Sequence, residues 1–386
     1  MKVLITTDWY KPVVNGVVTS VVSLANGLEQ AGHEVRILTL SGDMHSYQEG
    51  SVTYIGSVGV GLIYPNARLK TALGHHYIRS LVEWGPDVVH SQCEFSTFFM
   101  AKRIAKLCHA PLVHTYHTVY EDYTHYFSPS ERWGKQIAAS FSRRIIADTA
   151  AVIAPTGKVA DMLRRYDVAK PVFTVPSGLE LSRFSETLSC EERTRLRARL
   201  GIAEADTVLV YVGRLAKEKN VEELFTMLAR NKNKGLRLLL VGDGPHRAEL
   251  ERLAYEKGLD RQVIFAGMIP PVRIADYYRA GDIFVSASQS ETQGLTYIEA
   301  MACGLPVLCK ADACLNDVIR QGHNGLMYFS DAQFDEELEK LLSAPDVRKK
   351  IGTEAAQTVW SMFSSHRFAQ DVCSVYQASL DANALG

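Results

Sequence analysis

The chain has 386 residues, of which 47% are hydrophobic and 22% charged, as expected for a globular protein with two domains. Its 42 Lys and Arg nearly balance its 43 Asp and Glu, so no overall charge indicates a nucleic-acid-binding protein. Seven scattered cysteines without a C-x-x-C spacing argue against a disulfide framework or structural zinc and favour a reducing compartment.

The N-terminal segment MKVLITTDWYKP contains an apolar run that is too short for a signal peptide. No later run of about 18 apolar residues predicts a membrane span. We therefore expect a cytoplasmic protein, which could still lie against a membrane.

The first half of the chain alternates short β-branched runs with helical patterns, which predicts a parallel, doubly wound sheet of the α/β class. Strands are predicted at residues 2–6, 34–40, 87–91, 111–115 and 151–155. The helices between them include residues 17–31 and 98–108.

The same alternation restarts after a polar, basic helical stretch at residues 190–200. Strands are predicted at residues 207–212, 237–241, 263–267, 283–287 and 306–310, and helices at residues 221–229, 246–257 and 294–302. Residues 175–184 contain Pro and Gly without a helical period, which is typical of a linker. We predict Rossmann-like domains at residues 1–175 and 176–362, and a C-terminal helix, residues 363–386, that crosses back to the first domain.

Residues 283–299 predict a strand, the polar turn QSETQG, and a helix that begins at Gly294. Glu291 lies in the turn and Glu299 more than one helical turn later, so both carboxylates can address a ligand at the carboxyl ends of the strands. The first amides of the helix suit phosphate oxygens. The ordinary alternative for this spacing is a capping turn followed by an exposed glutamate.

Residues 211–220, YVGRLAKEKN, predict a strand that ends in a glycine turn, with Arg214 and Lys219 at the same strand edge. Two fixed cations at one strand edge can stabilise negative charge that develops on the oxygens of a ligand. The alternative is a solvated turn of charged residues at positions 217–219.

Three further turns follow predicted strands and bring backbone close to a ligand site. Gly242 lies in LLLVGDGP, Met268 in AGMIP, and Gly16 in DWYKPVVNGV at the start of the first helix. The turn at Gly242 is by itself only a weak signal of a ligand site. The segment that contains Gly16 also fits a plain strand-to-helix loop in which Asn15 caps the first helix.

Residues 113–129, VHTYHTVYEDYTHYFSP, place His114, His117 and His125 among tyrosines after a predicted strand. A neutral imidazole there can orient an acceptor or form a hydrogen bond with a sugar. Structural roles stay open for His114 and His125, as for His90. A metal site is not expected, because these histidines do not follow a familiar ligand spacing.

Together these motifs resemble family 4 retaining glycosyltransferases, through SETQGLTYIEAMACGLPV, a G-R-x(4)-K pattern and a T-x-H element. The resemblance implies the GT-B fold, in which two Rossmann-like domains face each other across a cleft, and a nucleotide-sugar donor. It implies catalytic roles for Glu291, Arg214, Lys219 and His117. The donor-binding residues that it implies are Gly16, Gly213, Gly242, Met268, Thr292, Gln293, Gly294, Leu295, Thr296 and Glu299.

In this family Glu291 would contact sugar hydroxyls and Glu299 would accept hydrogen bonds from the ribose. The pair of Arg214 and Lys219 would replace a metal ion. The chain contains no D-x-D sequence, which argues against a metal-dependent GT-A enzyme. We therefore expect a UDP-sugar donor as substrate, no bound cofactor and no obligatory metal. The absence of G-x-G-x-x-G after the first strand of either half disfavours a dehydrogenase.

Within the family, HTYHTVYEDYTHY and SETQGL are most similar to bacterial 1,2-diacylglycerol 3-glucosyltransferases, and this similarity spans most of the chain. It implies transfer of glucose from UDP-glucose to the 3-hydroxyl of 1,2-diacylglycerol, with α-monoglucosyldiacylglycerol as the product. The alternatives are another glycolipid, a polyprenyl-linked glycan or a soluble glycan as acceptor, UDP-galactose as donor, or a regulatory protein that only binds nucleotide sugars.

A lipid acceptor requires a surface that meets lipid headgroups. Residues 64–81 and 132–144 combine basic and apolar side chains and suit interfacial helices on an anionic membrane. Amphipathic helices packed on their own sheet show the same pattern. The expected acceptor or membrane contacts are His114, Tyr116, Trp133, Arg143 and Arg144. We expect a peripheral protein at the cytoplasmic face of the cell membrane.

Overall fold

A computed structural model describes residues 1–59, 68–70, 75–121, 130–186 and 188–385. The chain divides into two compact units. The first unit consists of Met1–Leu179 and Ser365–Gly386, and the second of Glu180–Ser364. The chain passes from one unit to the other inside the segment that was predicted to be a linker.

Strands and helices alternate through both units, as the sequence predicts. The strands are β1 (Lys2–Thr6), β2 (Glu34–Leu40), β3 (Tyr47–Glu49), β4 (Val52–Ile55), β5 (Ser57–Gly59), β6 (Arg68–Lys70), β7 (Val88–Ser91), β8 (Leu112–Thr115), β9 (Ala151–Ala154), β10 (Val172–Thr174), β11 (Thr207–Val212), β12 (Leu236–Val241), β13 (Val263–Gly267), β14 (Ile283–Ser286), β15 (Val307–Lys310) and β16 (Leu326–Tyr328). The helices are α1 (Gly16–Gln30), α2 (His75–Trp84), α3 (Ser96–Cys108), α4 (Glu131–Ile146), α5 (Gly157–Arg165), α6 (Cys190–Arg199), α7 (Val221–Arg230), α8 (Arg247–Glu256), α9 (Ile274–Ala280), α10 (Leu295–Ala302), α11 (Asp331–Ser343), α12 (Pro345–Met362) and α13 (Ser365–Leu385).

The main sheet of the first unit has the order β10-β9-β8-β7-β1-β2-β4-β3. Its strands pair in parallel, except that β3 runs antiparallel to β4. Val3, Leu4 and Ile5 of β1 are fully buried, as expected for a parallel strand with helices on both faces. The strand order reverses on either side of β1, so the ends of β1 and β7 form the topological switch point, where such sheets bind ligands.

The C-terminal helix α13 packs on α1 and on the sheet of the first unit. Phe368, Val372 and Tyr376 enter the same core as the strand residues of β1. The two helices approach closely at Gly27, where a Cβ atom would lie 2.4 Å from the carbonyl oxygen of Ser365. Packing of α13 therefore places side chains from the end of the chain beneath the switch point.

The second unit contains a parallel sheet with the order β13-β12-β11-β14-β15-β16. Here the order reverses between β11 and β14, which are hydrogen-bonded neighbours. The turns that follow these two strands therefore lie side by side at the carboxyl edge. They are the turns that carry the G-R-x(4)-K pattern and the start of the SETQGLTYIE segment.

One predicted interfacial helix is wrong in part. Residues 68–70 form β6, which pairs antiparallel with β5, and only α2 is helical in the rest of the described segment. Arg68 is held at the strand by hydrogen bonds from Nε to Ser57 Oγ (2.6 Å) and from Nη2 to the Gly42 carbonyl (2.6 Å). Residues 64–67 and 71–74 of this prediction lie outside the described residues.

Candidate active site

The switch point of the second sheet brings together the predicted lysine and glutamate. Lys219 ends a 3-10 helix after β11, and Glu291 lies in the turn after β14. Lys219 Nζ donates a hydrogen bond to Glu291 Oε1 at 2.7 Å, and both side chains are largely buried, with 16% and 18% of their surface exposed. Burial disfavours the charged lysine, but the Glu291 carboxylate outweighs it, and the pKa of Lys219 is raised. Lys219 is therefore a fixed cation.

Arg214 supplies a second positive charge in the same turn. Its side chain is half-buried, and its carbonyl oxygen accepts a hydrogen bond from the Tyr211 hydroxyl at 3.2 Å. Across the described ranges, no carboxylate forms an ion pair with the Arg214 guanidinium. A half-buried guanidinium of this kind favours an anionic ligand that can pair with it.

The helix that follows Glu291 begins in a conformation that favours glycine. Gly294 has a φ of +76°, and a Cβ atom there would lie 2.9 Å from Tyr297 Cδ2. The N-cap position provides no side chain to cap the first turn of α10, which begins at Leu295 and Thr296. Thr292 is half-buried and Gln293 is 5% exposed, so the turn before the helix is held by packing. The helix start can therefore bind phosphate oxygens through backbone amides.

Glu299 lies further along α10 and is half-buried. Burial raises its pKa to about 7, although a hydrogen bond from the Tyr278 hydroxyl (2.7 Å) and the charge of Arg183 act in the opposite direction. Glu299 therefore gains or loses its proton near neutral pH.

Glycines allow the turns after β11, β12 and β13 to stack closely. Gly213 N donates to the Val241 carbonyl at 3.0 Å, and Gly242 N donates to the Gly267 carbonyl at 2.9 Å. A Cβ atom on Gly242, whose φ is +135°, would lie 2.0 Å from the Gly213 oxygen. Met268 follows the last of these turns with 61% of its surface exposed, so it can contact a ligand.

The switch point of the first sheet carries a different set of residues. His117 Nε2 lies 2.7 Å from Gln92 Oε1, and Gln92 Nε2 lies 3.0 Å from His90 Nε2. Burial, together with the charge of nearby His114, lowers the pKa of His117 to about 3. Burial likewise lowers the pKa of His90. Both imidazoles are therefore neutral at physiological pH.

Two buried carboxylates lie at the same edge, and the sequence analysis did not single them out. Glu94 accepts a hydrogen bond from the Tyr120 hydroxyl at 3.0 Å, and Asp8 accepts one from the Thr97 amide at 2.8 Å. Burial raises the pKa of Asp8 to about 6, with a further contribution from the charge of Glu94. These residues and Gln92 directly follow β1 and β7, and that position was the signal that could have identified them.

The comparisons with known proteins fit this geometry. A family model described as "Glycosyl transferases group 1" matches residues 192–358, and one described as "Glycosyltransferase Family 4" matches residues 14–183. The chain is 32% identical to an alpha-monoglucosyldiacylglycerol synthase of Streptococcus pneumoniae, over 99% of this chain and 87% of that protein. The chain belongs to glycosyltransferase family 4. An alpha-monoglucosyldiacylglycerol synthase of Acholeplasma laidlawii is 29% identical over 99% of this chain and 98% of its own length.

Solved structures show the fold of this family 4 glycosyltransferase. The crystal structure of Anabaena HepE in complex with UDP and glucose matches with a TM-score of 0.77 and 17% identity, over 98% of this chain and 100% of that chain. The likeness confirms the predicted GT-B fold, and the family confirms that the protein is a glycosyltransferase.

The predicted acceptor or membrane contact is wrong for two side chains of the first unit. His114 and Tyr116 are fully buried, so they do not form the predicted contact with the acceptor or membrane. His114 lies on β8, which has helices on both faces, with Nε2 at 3.4 Å from Glu94 Oε1. The Tyr116 hydroxyl forms a 2.6 Å hydrogen bond with Ser142 Oγ. His125 of the same motif lies outside the described residues.

Other predicted residues of the glycosyltransferase are placed at surfaces. Trp133 on α4 is 67% exposed, and Arg143 and Arg144 of the same helix are exposed. Gly16 is exposed at the start of α1, where Asn15 caps the helix by accepting a 2.9 Å hydrogen bond from Val18 N.

The part of the chain that the structure describes has two features that bear on metals and membranes. There, no three His, Cys, Asp or Glu side chains are grouped as a metal site would require. Within the same ranges, no helix has both the length and the apolar character to cross a membrane.

Proposed function

We propose that this glycosyltransferase transfers glucose from UDP-glucose to the 3-hydroxyl of 1,2-diacylglycerol with retention of configuration, giving α-monoglucosyldiacylglycerol. The observation that carries the proposal is the similarity to two alpha-monoglucosyldiacylglycerol synthases over 99% of this chain. The choice of donor is supported by the fold, which Anabaena HepE shares in its complex with UDP-glucose.

The cations of the second unit would stabilise the leaving diphosphate. Arg214 has no ion-pair partner within the described residues, and Lys219 has Glu291, so the two cations can respond differently to a ligand. As the bond from the anomeric carbon to the phosphate oxygen breaks, negative charge grows on that oxygen, and fixed cations lower the barrier. This arrangement supports a reaction without an obligatory metal ion or other cofactor.

The remaining predicted residues would orient the donor. Glu291 would accept hydrogen bonds from sugar hydroxyls while its ion pair with Lys219 holds the carboxylate in place. The start of α10 would bind the distal phosphate. Glu299 would accept hydrogen bonds from the ribose, and the exposed Met268 would lie near the base. All of these residues belong to the second unit and follow strands of one parallel sheet, which supports binding of one extended nucleotide sugar at its carboxyl edge.

Retention of configuration at the anomeric carbon requires one of two mechanisms. Either a carboxylate acts as a nucleophile, or the acceptor attacks from the same face from which the leaving group departs. Glu291 is ion-paired with Lys219, which reduces the nucleophilicity of its carboxylate. We therefore favour front-face attack, in which the acceptor oxygen bonds to the anomeric carbon as the bond to the phosphate oxygen breaks. The departing phosphate oxygen takes the proton of the acceptor hydroxyl. His117, which is neutral, would orient that hydroxyl.

Peripheral contact with an anionic membrane is part of the proposal. Trp133 and Ile137 lie four residues apart on α4 and are 67% and 49% exposed. The exposed Arg143 and Arg144 add positive charge to the same helix. Exposed apolar side chains next to cations are suited to a headgroup layer. This surface supports a location at the inner face of the cell membrane.

The test is an assay of purified protein with a panel of UDP-sugars and vesicles that contain 1,2-diacylglycerol. We expect glucose transfer from UDP-glucose, with an α linkage to the 3-hydroxyl identified by mass spectrometry and NMR. Vesicles without diacylglycerol are the control. Preference for UDP-galactose, or transfer only to soluble or polyprenyl-linked acceptors, would contradict the proposal. Binding of UDP-glucose without transfer to any acceptor in a total lipid extract would indicate a regulatory protein instead.

A further inference from the structure

A continuous chain of hydrogen bonds connects the C-terminal helix α13 to His117. The Tyr376 hydroxyl lies 2.6 Å from His90 Nδ1, and His90 Nε2 lies 3.0 Å from Gln92 Nε2. Gln92 Oε1 then lies 2.7 Å from His117 Nε2. The Thr115 hydroxyl lies 2.7 Å from His90 Nε2 and joins the chain at its middle. The side chain of Gln92 is thus the link between two histidines.

The amide of Gln92 gives this chain a direction, because its oxygen only accepts and its nitrogen only donates. With Oε1 toward His117, the proton of that imidazole must lie on Nε2. With the Gln92 nitrogen toward His90, the Nε2 atom of His90 must accept, and its own proton lies on Nδ1 and is donated to Tyr376. The two histidines therefore hold opposite tautomers.

Burial makes this direction costly to change. Gln92 is 1% exposed, and His90 and Tyr376 are fully buried. The backbone of Gln92 is fixed as well, since its amide donates to the Thr6 carbonyl at 2.8 Å. Rotation of the Gln92 amide alone would set donor against donor and acceptor against acceptor, and buried groups without partners are strongly disfavoured. The amide can therefore rotate only if both histidines exchange tautomers at the same time and the Tyr376 hydroxyl becomes the donor to His90 Nδ1.

We propose that Gln92 is a positioning residue that holds His117 as the neutral imidazole with its proton on Nε2. This inference rests on the proposed function, in which His117 orients the acceptor hydroxyl. It deepens that function by naming the groups that set the state of His117, which are Gln92 directly and His90 with Tyr376 behind it.

The choice of an amide rather than a carboxylate fits the proposed front-face reaction. A carboxylate beside an imidazole stabilises the imidazolium and favours a histidine that takes a full proton during catalysis. The neutral amide of Gln92 offers no such stabilisation. His117 then keeps its lone pair on Nδ1 as a hydrogen-bond acceptor, and the departing phosphate oxygen remains the group that takes the proton.

The first experiment measures the tautomers by ¹⁵N NMR of histidine-labelled protein without substrates. We expect the proton of His117 on Nε2 and that of His90 on Nδ1. The same tautomer in both residues, or a His117 proton on Nδ1, would overturn the inference. Because no substrate is needed, this result does not depend on whether the protein glucosylates diacylglycerol.

The second experiment measures kinetics of Gln92 variants. For Gln92→Leu we expect kcat to fall about 10- to 100-fold while the KM for UDP-glucose changes less than about twofold. For Gln92→Glu we expect activity to be lost as the pH falls toward the raised pKa of His117, a pH dependence that the wild-type residue does not produce. Wild-type kinetics in both variants would refute the positioning role.

Tyr376→Phe provides a test that does not alter the partner of His117. It removes only the hydroxyl, so we expect a mixture of His90 tautomers in the NMR spectrum and a roughly threefold lower kcat. The matched control is Ser379→Ala on the same helix, since the Ser379 hydroxyl only donates to the Val375 carbonyl at 2.8 Å. An unchanged His90 tautomer in Tyr376→Phe would show that the Tyr376 hydroxyl on α13 does not set the direction of these hydrogen bonds.

Discussion

The sheets of the two units carry different chemistry at the same topological position. In the second unit, the turns after β11 and β14 hold the cations Arg214 and Lys219, with Glu291 paired to the lysine. In the first unit, the corresponding edge holds neutral imidazoles that Gln92 connects. One switch point therefore carries cations, and the other carries directed hydrogen bonds beside the carboxyl groups of Asp8 and Glu94.

This difference matches what each part of the proposed substrates requires. A diphosphate is stabilised by fixed positive charge, and that effect is large wherever water is excluded. A hydroxyl group needs orientation, which neutral hydrogen bonds supply without a change of charge. Loss of a cation from the second unit should therefore lower activity more than loss of a neutral partner from the first, and the pH dependence of UDP binding should arise in the second unit.

The largest effect is expected for Arg214→Ala. Under the proposed function Arg214 faces the leaving diphosphate, so its removal should lower kcat/KM for UDP-glucose about 10²- to 10³-fold. Steady-state kinetics and thermal unfolding together check that the loss is catalytic rather than structural.

Arg230→Ala is the matched control for Arg214. Arg230 is also in the second unit, but it pairs with Asp331 and Asp335 at the surface, so activity should stay within about twofold of the wild type. An Arg214→Ala variant with a rate within about threefold of the wild type would break the contrast between the two switch points.

A smaller effect, about tenfold, is expected from the protonation of Glu299. Its pKa of about 7 exceeds the usual 4.5, so the folded state binds this proton more tightly than the unfolded state does. The contribution of Glu299 to stability therefore falls as the pH rises from about 4.5 to 7 and is constant above that range. The ionised carboxylate is the better acceptor for ribose hydroxyls, so UDP should bind about tenfold more tightly at pH 8 than at pH 6.

Calorimetry of UDP binding at both pH values tests whether Glu299, rather than another titrating group, causes the pH dependence. Glu299→Gln should remove the extra dependence and leave only the change due to titration of UDP itself. Asp8→Asn is the control, because the pKa of Asp8, about 6, lies in the same range but in the first unit. His117, with a pKa of about 3, does not titrate there. A full pH dependence in Glu299→Gln would assign the effect to another group.

The second site could be predicted from sequence because its parts are local. Arg214 and Lys219 share one turn, and Glu291 and Glu299 share one strand-turn-helix segment, so their positions follow from the βα pattern. The ion pair of Lys219 with Glu291 joins residues 72 positions apart, and no local pattern specifies that pairing.

The first site could be predicted only in part because its contacts are long-range. His117 was found from its motif, but the bond between His90 and Tyr376 joins residues 286 positions apart. Gln92, a neutral side chain after a strand, carries no periodic signal. The same limit explains β6, since three residues of alternating character fit a strand or a helix until the pairing with β5 decides.

The smallest effect is expected for membrane binding, because the two units carry different exposed surfaces as well as different sites. Trp133 on α4 and Tyr255 on α8 of the second unit are both exposed aromatic residues, at 67% and 77%. Only α4 also carries an exposed isoleucine, Ile137, one turn from its aromatic residue and a pair of arginines in its last turn. Transfer of an indole ring into the headgroup layer stabilises binding by roughly 1 kcal/mol. Trp133→Ala should therefore weaken flotation with anionic vesicles roughly three- to tenfold, more visibly at high salt, where screening weakens the arginine contribution. Tyr255→Ala should float as the wild type does. Equal losses in both variants would mean that aromatic exposure alone governs binding, and that the membrane-facing surface does not belong to the first unit.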